Sequence, residues 1–390
     1  TDSDRLYDCV ETNTGTYVNT SDTGTDPNDS DSDDDSIDDG DEVLGTSGGL
    51  DLPGLGADPN KPTILVEYDW FDDDICEERA ECEEEQPHPH SHRPLAEMMD
   101  SLSAVFGREG IQLINDYGQG SAPFDGGNLI SDADGDLDFL SEEHFAYKAA
   151  NFASNRNGYF HYAMHPHSYN NGGSSGFAEV SGDDLINATL GWSDNYQKVA
   201  GTIMHELGHN LGLRHGGNED QNYKPNYNSV MNYQYQFSGV DNNCTIPGNG
   251  VLDYSHGTRP SLDENALVEE DGICGGATGT DWNDDGDFDD VLAMNIDGRW
   301  KERSGSTLCQ DAGTSCVLDE GKIYNSDLTV LTDHNDWGAL VFSGILTSAD
   351  LSIMREVIVE DDAEDVIREP SDPIDPLAPT QIPTRRPGNK

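Results

Sequence analysis

The chain has 390 residues, enough for one large domain or two, and it carries 77 acidic against 20 basic side chains. The resulting formal net charge of −57 at pH 7 argues against nucleic acid and anionic membranes as partners and makes cations the expected ligands. Charge leaves two interpretations of the acidic surface open, adaptation to high salt and ordinary solubility.

Cysteine usage indicates a secreted, extracellular protein. The seven cysteines form no Cys-x-x-Cys pair, so we expect disulfides rather than a thiolate zinc site. By proximity in sequence, the expected pairs, which leave Cys9 over, are Cys76–Cys82, Cys244–Cys274 and Cys309–Cys316. No apolar run is long enough to span a bilayer.

Because no signal peptide stands at Thr1, we expect a processed form or a sequence whose start is missing. The sequence does not indicate the oligomeric state.

Residues 1–60 are rich in Asp, Ser, Thr and Gly, and we expect them to need a metal or a neighbouring domain in order to fold. Within them, residues 31–42 place acidic side chains at the first, third, fifth, ninth and twelfth positions of an EF-hand-like calcium loop: Asp31, Asp33, Asp35, Asp39 and Glu42. Ser36 stands where such loops usually need glycine. The stretch resembles thrombospondin type 3 repeats, and the alternative is a solvated acidic linker.

The middle of the chain alternates between strand and helix patterns. The predicted elements, in order, are a buried strand at residues 64–71, an amphipathic helix at 94–110, a strand at 111–118, a helix at 141–155 capped by Ser141, extended segments at 159–169, 176–182 and 184–192, and a helix at about 195–211. This order predicts an α+β or α/β-like fold, in which a mixed twisted sheet is backed by helices.

The last of these helices carries a metal-binding pattern. His205 and His209 are four residues apart and therefore project from one helical face, with Glu206 beside them. Gly212 can adopt positive φ, which ends the helix and lets His215 supply a third ligand. Three neutral ligands leave a zinc position open for water, as in catalytic sites. The alternative is that these histidines only pack or cap.

Taken together, these five residues resemble the long zinc-binding consensus of the metzincin metallopeptidases. The resemblance implies a methionine turn downstream, and residues 227–233, YNSVMNY, are similar to it, with Met231 as the apolar floor of the site. Tyr233 matches the position of a zinc-ligating, catalytic tyrosine in astacin-like and serralysin-like members, and its alternative role is a packed aromatic. Gly216 departs from the better-known subfamilies.

The resemblance implies a zinc-dependent endopeptidase that hydrolyses peptide bonds of extracellular proteins. Metal-activated water would attack the carbonyl, and Glu206 would be the general base. Residues 176–180 are a candidate edge strand for pairing with a protein or peptide substrate. Two alternatives remain: a catalytically inactive, calcium-stabilised surface or matrix protein on the same fold, and a zinc hydrolase acting on another substrate.

A second acidic loop suggests a further calcium site. Its expected ligands are Asp281, Asn283, Asp285, Asp287 and Asp289. Gly286 supplies the sharp turn, but Leu292 occupies the twelfth position, so a remote carboxylate such as Asp297 would have to complete the site.

Three regions are predicted. Residues 1–60 form an acidic segment with calcium-binding features, residues 61–368 a metzincin-like catalytic domain, and residues 369–390 a proline-rich disordered tail. The catalytic domain divides into an N-terminal subdomain at about residues 61–217 and a loop-rich C-terminal subdomain at about residues 218–368.

Overall fold

The computed structural model describes most of the chain in full. The ranges with side chains are 2–71, 91–131, 135–137, 141–169, 175–188, 195–246, 248–276, 278–283, 285–297 and 328–342, and backbone alone is described at 316–317, 323–324 and 367–368.

Helices and strands alternate in the first half of the described chain, and short strands dominate the rest. In order they are α1 Asp39–Leu44, α2 Leu52–Leu55, β1 Thr63–Phe71, α3 Ala96–Arg108, β2 Gln112–Asp116, β3 Leu129–Ile130, β4 Asp136–Leu137, α4 Glu142–Asn151, β5 Phe160–His165, β6 Ser168–Tyr169, β7 Gly176–Ala178, β8 Asp184–Asn187, α5 Tyr196–Asn210, β9 Leu262–Asp263, β10 Leu267–Val268, β11 Val291–Leu292, β12 Cys316–Val317, β13 Ile323–Tyr324, β14 Val330–Leu331 and β15 Ile367–Arg368. Single 3-10 turns lie at Ser154–Arg156, Glu269–Asp271 and Trp337–Ala339.

The main sheet is mixed. Strands β2, β1, β5 and β8 are parallel neighbours in that order, β3 pairs with the far end of β1, and β7 lies antiparallel beside β8. Helix α3 packs against β2, and α5 packs against β7 and β8. The predicted class, a mixed sheet backed by helices, is confirmed at this level.

Two hydrophobic clusters cover the two faces of the sheet. Successive side chains of a strand point to opposite faces, so Ile64 and Val66 of β1 join the cluster that contains α3 and α5. Leu65 joins the other cluster, together with Leu52 and Leu55 from the acidic N-terminal segment. That segment therefore buries its few aliphatic side chains against the sheet.

Most predicted elements form with shifted ends. The helix predicted to reach residue 155 ends at Asn151, because Phe152 adopts an extended backbone and a 3-10 turn follows. The segment at residues 159–169 is split into β5 and β6 around Pro166, which has no backbone N–H to donate. The expectation of a free edge at residues 176–180 is wrong, because β15 pairs with β7 on its outer side.

The disulfide between Cys244 and Cys274 is confirmed, with Cα atoms 5.8 Å apart, and Cys9 is free and exposed. The other two predicted pairs involve cysteine side chains that lie outside the described residues. The predicted tail at residues 369–390 also lies outside them. Among the described residues, no helix has both the length and the apolar character needed to cross a membrane.

Candidate metal centre

Helix α5 positions the first part of the candidate zinc site. Asn195 caps it by accepting a hydrogen bond from the Lys198 amide at 3.2 Å, and the helix then runs unbroken past His205, Glu206 and His209. All three of these side chains are fully buried. Burying polar side chains costs free energy unless they have partners. Three buried polar side chains close together on one helix therefore indicate a functional site.

The third histidine joins them as expected. Gly212 has φ +90°, which ends the helix and turns the chain so that His215 comes back over it. Ring centroids of His205 and His209 lie 4.7 Å apart, and the ring of His215 lies 5.4 Å and 5.0 Å from them respectively. One ligand nitrogen from each ring lies within 4.8 Å of the others. The structure thus brings the three predicted ligands together.

Hydrogen bonds fix which ring nitrogens face inward. Nδ1 of His205 lies 2.7 Å from the carbonyl oxygen of Val230, and Nδ1 of His209 lies 2.8 Å from that of Leu213. Because a carbonyl can only accept, both Nδ1 atoms donate, and each neutral ring keeps a lone pair on Nε2. Such backbone contacts are the usual way in which metal-ligating histidines are oriented.

The two Nε2 atoms of His205 and His209 lie 3.1 Å apart. Two lone pairs at that distance repel each other unless a cation lies between them. Two nitrogens each about 2.0–2.1 Å from a tetrahedral zinc would be about 3.3 Å apart, so the donor set fits zinc.

The predicted methionine turn at residues 227–233 packs against α5. Met231 is fully buried, and a Cβ atom added to Gly208 would collide with its sulfur. The Tyr254 hydroxyl donates to the Met204 carbonyl on the same helix. Glycine at 208 is therefore needed for close approach between the helix and the turn, a requirement that sequence reasoning missed.

Tyr233 lies beside the histidines. Its ring centroid is 4.3 Å from that of His215 and 5.7 Å from that of His205, and its backbone amide donates to Asn222 Oδ1 at 3.0 Å. The side chain is 9% exposed, so it borders the site rather than the deep core. This placement agrees with either of its two predicted roles, a ligand or a packed aromatic.

Glu206 lies against β7. A Cβ atom at Gly176 would collide with Glu206 Oε1, so a side chain at position 176 would displace the carboxylate. Gly176 is a second residue that the sequence did not single out. It could have been suspected only from the glycine that opens an otherwise apolar strand.

The departure at Gly216 has a local cause. A Cβ atom there would collide with the carbonyl oxygen of Gln221. The same turn is held by Lys224, which is fully buried and whose Nζ donates to the Gly216 carbonyl at 2.9 Å and to Glu219 at 2.8 Å. The segment after the third histidine is thus a tight loop that accepts only glycine at this position.

The first predicted calcium loop gathers three of its carboxylates. Ligand oxygens of Asp31, Asp33 and Asp35 lie within 4.8 Å of one another. Glu42 is 1% exposed, and its Oε2 has no hydrogen-bond partner among the described residues. Burial, then the nearby carboxylates, raise the pKa of Glu42 to about 10. Asp39, another predicted ligand, accepts hydrogen bonds from the Ser32 amide and hydroxyl at 2.9 and 2.7 Å.

The turn of this loop uses left-handed backbone without glycine. Asp34 has φ +61° and Ser36 has φ +74°. Ser36 therefore adopts the conformation for which glycine is usual in calcium loops, so its presence does not prevent the loop from forming.

The second predicted loop turns as expected at Gly286, which has φ +96°. Asp281 accepts hydrogen bonds from the amides of Asp285 and Gly286 at 3.2 and 2.9 Å, and the Asn283 amide group donates to Asp285 at 3.0 Å. These three side chains therefore shape the turn.

The carboxylates that come together at this loop are not the same set as the predicted ligands. Ligand oxygens of Asp287 and Asp290 lie within 4.8 Å of the buried Glu269. Asp289 lies outside this group of three, and its backbone amide donates to Asp287 at 3.4 Å. Asp297, expected to complete the site, accepts a hydrogen bond from Gln221 at 2.7 Å. Sequence reasoning did not pair Asp290 with Glu269, because Glu269 is remote from the loop in sequence.

A further acidic group lies at the start of the chain. Asp2, Asp4 and Glu11 bring ligand oxygens within 4.8 Å, and both Glu11 oxygens are buried without a hydrogen-bond partner among the described residues. Burial, followed by Asp2 and Asp4, raises the pKa of Glu11 to about 7. Sequence reasoning did not identify it, because the spacing differs from that of the loop at residues 31–42.

No family model matches the chain, and no curated protein matches it. What the site does therefore has to be inferred from its own residues. The strongest features are the inward lone pairs of His205 and His209, the nearby ring of His215 and the buried carboxylate of Glu206.

Proposed function

We propose that the protein is a zinc-dependent endopeptidase, with His205, His209 and His215 as metal ligands and Glu206 as the general base. The observation that carries the proposal is the pair of inward-facing Nε2 lone pairs 3.1 Å apart, each fixed by a backbone carbonyl on the opposite ring nitrogen. With Nδ1 donating to a carbonyl, Nε2 is the nitrogen that a neutral ring can offer to a metal.

Zinc, when bound, would polarise a substrate carbonyl as a Lewis acid and lower the pKa of water toward about 7. Glu206 would take the proton of the attacking water on a carboxylate oxygen and then deliver it to the leaving amine nitrogen. Burial of Glu206 against Gly176 holds that carboxylate in one place. Tyr233, at the rim, would donate its hydroxyl proton in a hydrogen bond to the substrate oxygen.

Strand β7 supports a peptide as the substrate class. It follows β8 in the order β1-β5-β8-β7 and lies against Glu206 at Gly176, so an extended peptide paired along it would pass next to the general base. Such a peptide would take the place of β15, which pairs with Phe177 and Ala178.

Calcium and secretion belong to the same proposal. The converging carboxylates of Asp31, Asp33 and Asp35, together with the buried carboxylate of Glu42, support a calcium site, because hard oxygen ligands suit that ion. The disulfide between Cys244 and Cys274 supports an oxidising, extracellular environment.

The test is casein digestion by wild type and by Glu206→Gln, with zinc content measured on the same samples. We expect the variant to keep zinc and to lose at least about 100-fold in turnover, the range in which general-base groups contribute. Glu97→Gln, the same change at an exposed site on α3, should behave as wild type.

A chelator should abolish wild-type digestion, and added zinc should restore it. Full digestion by Glu206→Gln would refute the assignment of the base. Zinc binding with no hydrolysis of any protein by the wild type would instead favour the inactive, calcium-stabilised protein or a hydrolase of another substrate.

A further inference from the structure

A cluster of buried acids lies at the hairpin between β7 and β8, outside every predicted metal site. Glu179, Asp183 and Asp184 are 8%, 1% and 0% exposed. One carboxylate oxygen from each lies within 4.8 Å of the others. Glu179 Oε2 accepts hydrogen bonds from the amides of Asp183 and Asp184 at 3.1 and 3.3 Å. Backbone amides of the hairpin thus help to hold the carboxylate of Glu179 in the protein interior.

The cluster has fewer positive charges than negative ones. Lys148 of α4 donates to Asp183 at 2.9 Å and also to Asp184. Two histidines are close but carry no charge near neutral pH, because burial lowers the pKa of His144 to about 3 and that of His161 to about 4. If all three carboxylates are ionised, the ammonium of Lys148 leaves two negative charges unbalanced among the described residues of the cluster.

Two oxygens in the cluster accept no hydrogen bond from any residue that the structure describes. Asp183 Oδ1 and Asp184 Oδ2 are buried and have no partner among the described residues. A buried carboxylate oxygen that has lost its water is strongly destabilising unless another group compensates it. Lys148 compensates only the opposite oxygen of each carboxylate.

We propose that Glu179, Asp183 and Asp184 form a structural site for a hard divalent cation, with calcium as the ion. A divalent ion balances the two excess charges and supplies a partner for both orphaned oxygens. An all-carboxylate ligand set favours calcium over zinc, which prefers nitrogen and sulfur.

The site acts on the candidate zinc helix through the backbone. The Asn210 side chain, at the last position of α5, donates to the carbonyls of Glu179 at 2.9 Å and Asp184 at 3.0 Å. The Ser181 amide donates to the His209 carbonyl at 2.9 Å. A cation that rigidifies the hairpin therefore fixes the end of the helix beside His209. The site itself needs neither zinc nor peptidase activity.

Protons are the competing explanation. Burial, then the charges of Asp184 and Asp183, raise the pKa of Glu179 to about 8, so the cluster could hold protons instead of a cation. A proton cannot bring three carboxylates into one coordination shell, so the two explanations differ in their response to calcium.

The experiment is hydrogen exchange, resolved by peptide, on the full chain refolded with and without calcium chloride. An ion in so buried a site is enclosed during folding, so refolding is the loading step. We expect calcium to slow exchange of the amides at residues 180–187 by about tenfold or more, and to do so without any readout of activity.

Glu179→Gln removes one charge but keeps an oxygen that can accept from the same two amides. It should weaken the calcium effect at residues 180–187 by about tenfold or more, the usual range for perturbing a metal site. Glu97→Gln, the same change at an exposed site on α3, is the matched control and should leave that effect unchanged.

The proposal would be overturned if millimolar calcium left the exchange rate at residues 180–187 of the wild type unchanged. It would also be overturned if calcium slowed exchange in Glu179→Gln as much as in the wild type. Should Glu179→Gln fail to fold, crystals of the wild type refolded with calcium chloride decide: density bonded to Asp183 and Asp184 supports the site, and its absence refutes it.

Discussion

At the scale of single residues, the chemistry of the candidate zinc site depends on hydrogen bonds that a motif cannot specify. The pattern of histidines places two rings on one helical face, but the carbonyls of Val230 and Leu213 decide which nitrogen of each ring points inward. The same is true of Gly208 and Gly176, whose missing side chains make room for Met231 and Glu206. Val230, Met231 and Gly176 are remote from α5 in sequence, so spacing along the helix could not identify these contacts.

Gly208→Ala tests the contact between α5 and the methionine turn. The added Cβ collides with the Met231 sulfur, so we expect a loss of about 1–3 kcal/mol in unfolding free energy, as for other overpacked cores, and weaker zinc retention. Gly107→Ala, at an open position on α3, is the matched control and should gain about 0.5–1 kcal/mol from its lower unfolded-state freedom. Urea unfolding measures both, and equal effects in the two variants would contradict the close contact.

Tyr233→Phe tests whether the tyrosine is more than a packed aromatic. If its hydroxyl contacts the reacting oxygen, turnover on casein should fall by about 10-fold or more while zinc content stays near that of the wild type. Tyr7→Phe, at an exposed site, serves as control. Unchanged turnover would assign Tyr233 to packing alone.

At the scale of elements, the acidic segment before β1 is held by the sheet and by its own buried carboxylates. The Thr63 amide, at the start of β1, donates to Asp35 Oδ2 at 2.6 Å, which joins the loop at residues 31–42 to the sheet. The loop was predictable from the spacing of its acids. Its attachment to β1 was not, because it depends on a contact across 28 residues.

The calcium-free protein should lose stability as pH rises. Burial, then neighbouring carboxylates, raise the pKa of Asp33 from 3.8 to about 8, and burial raises that of Asp35 from 3.8 to about 7. Folding therefore takes up protons, and the free energy of unfolding falls between about pH 4 and pH 8, being fully retained below that range. Calorimetry at pH 5 and pH 8 measures this fall.

Calcium should reverse the trend, because a bound cation keeps these carboxylates ionised in the folded state. Asp33→Asn removes one of the titrating groups, so both the fall with pH and the gain from calcium should become smaller. A thermal midpoint that is the same at pH 5 and pH 8 without calcium would contradict the prediction.

At the scale of the whole molecule, the charge of −57 exceeds what three or four divalent ions could balance. The negative charges that bound cations do not balance repel one another, and this repulsion destabilises the compact state at low ionic strength. Adaptation to high salt and ordinary solubility therefore differ in how strongly stability depends on salt.

We expect the thermal midpoint to rise steadily with sodium chloride up to about 1 M, where the Debye length is about 3 Å. Calcium should be saturating in all samples, so that only general screening varies. A midpoint that does not change with salt would favour ordinary solubility.

The sequence by itself determined the class of fold, the helix that carries His205, Glu206 and His209, and the turn at Gly212, because these depend on periodicity and local backbone preference. Only the tertiary structure decided which groups meet across the chain. The contacts of Glu206 with Gly176, of Asp287 with Glu269, and of Lys148 with Asp183 and Asp184 join distant segments. Such contacts follow from how strands and helices pack, which no local pattern encodes.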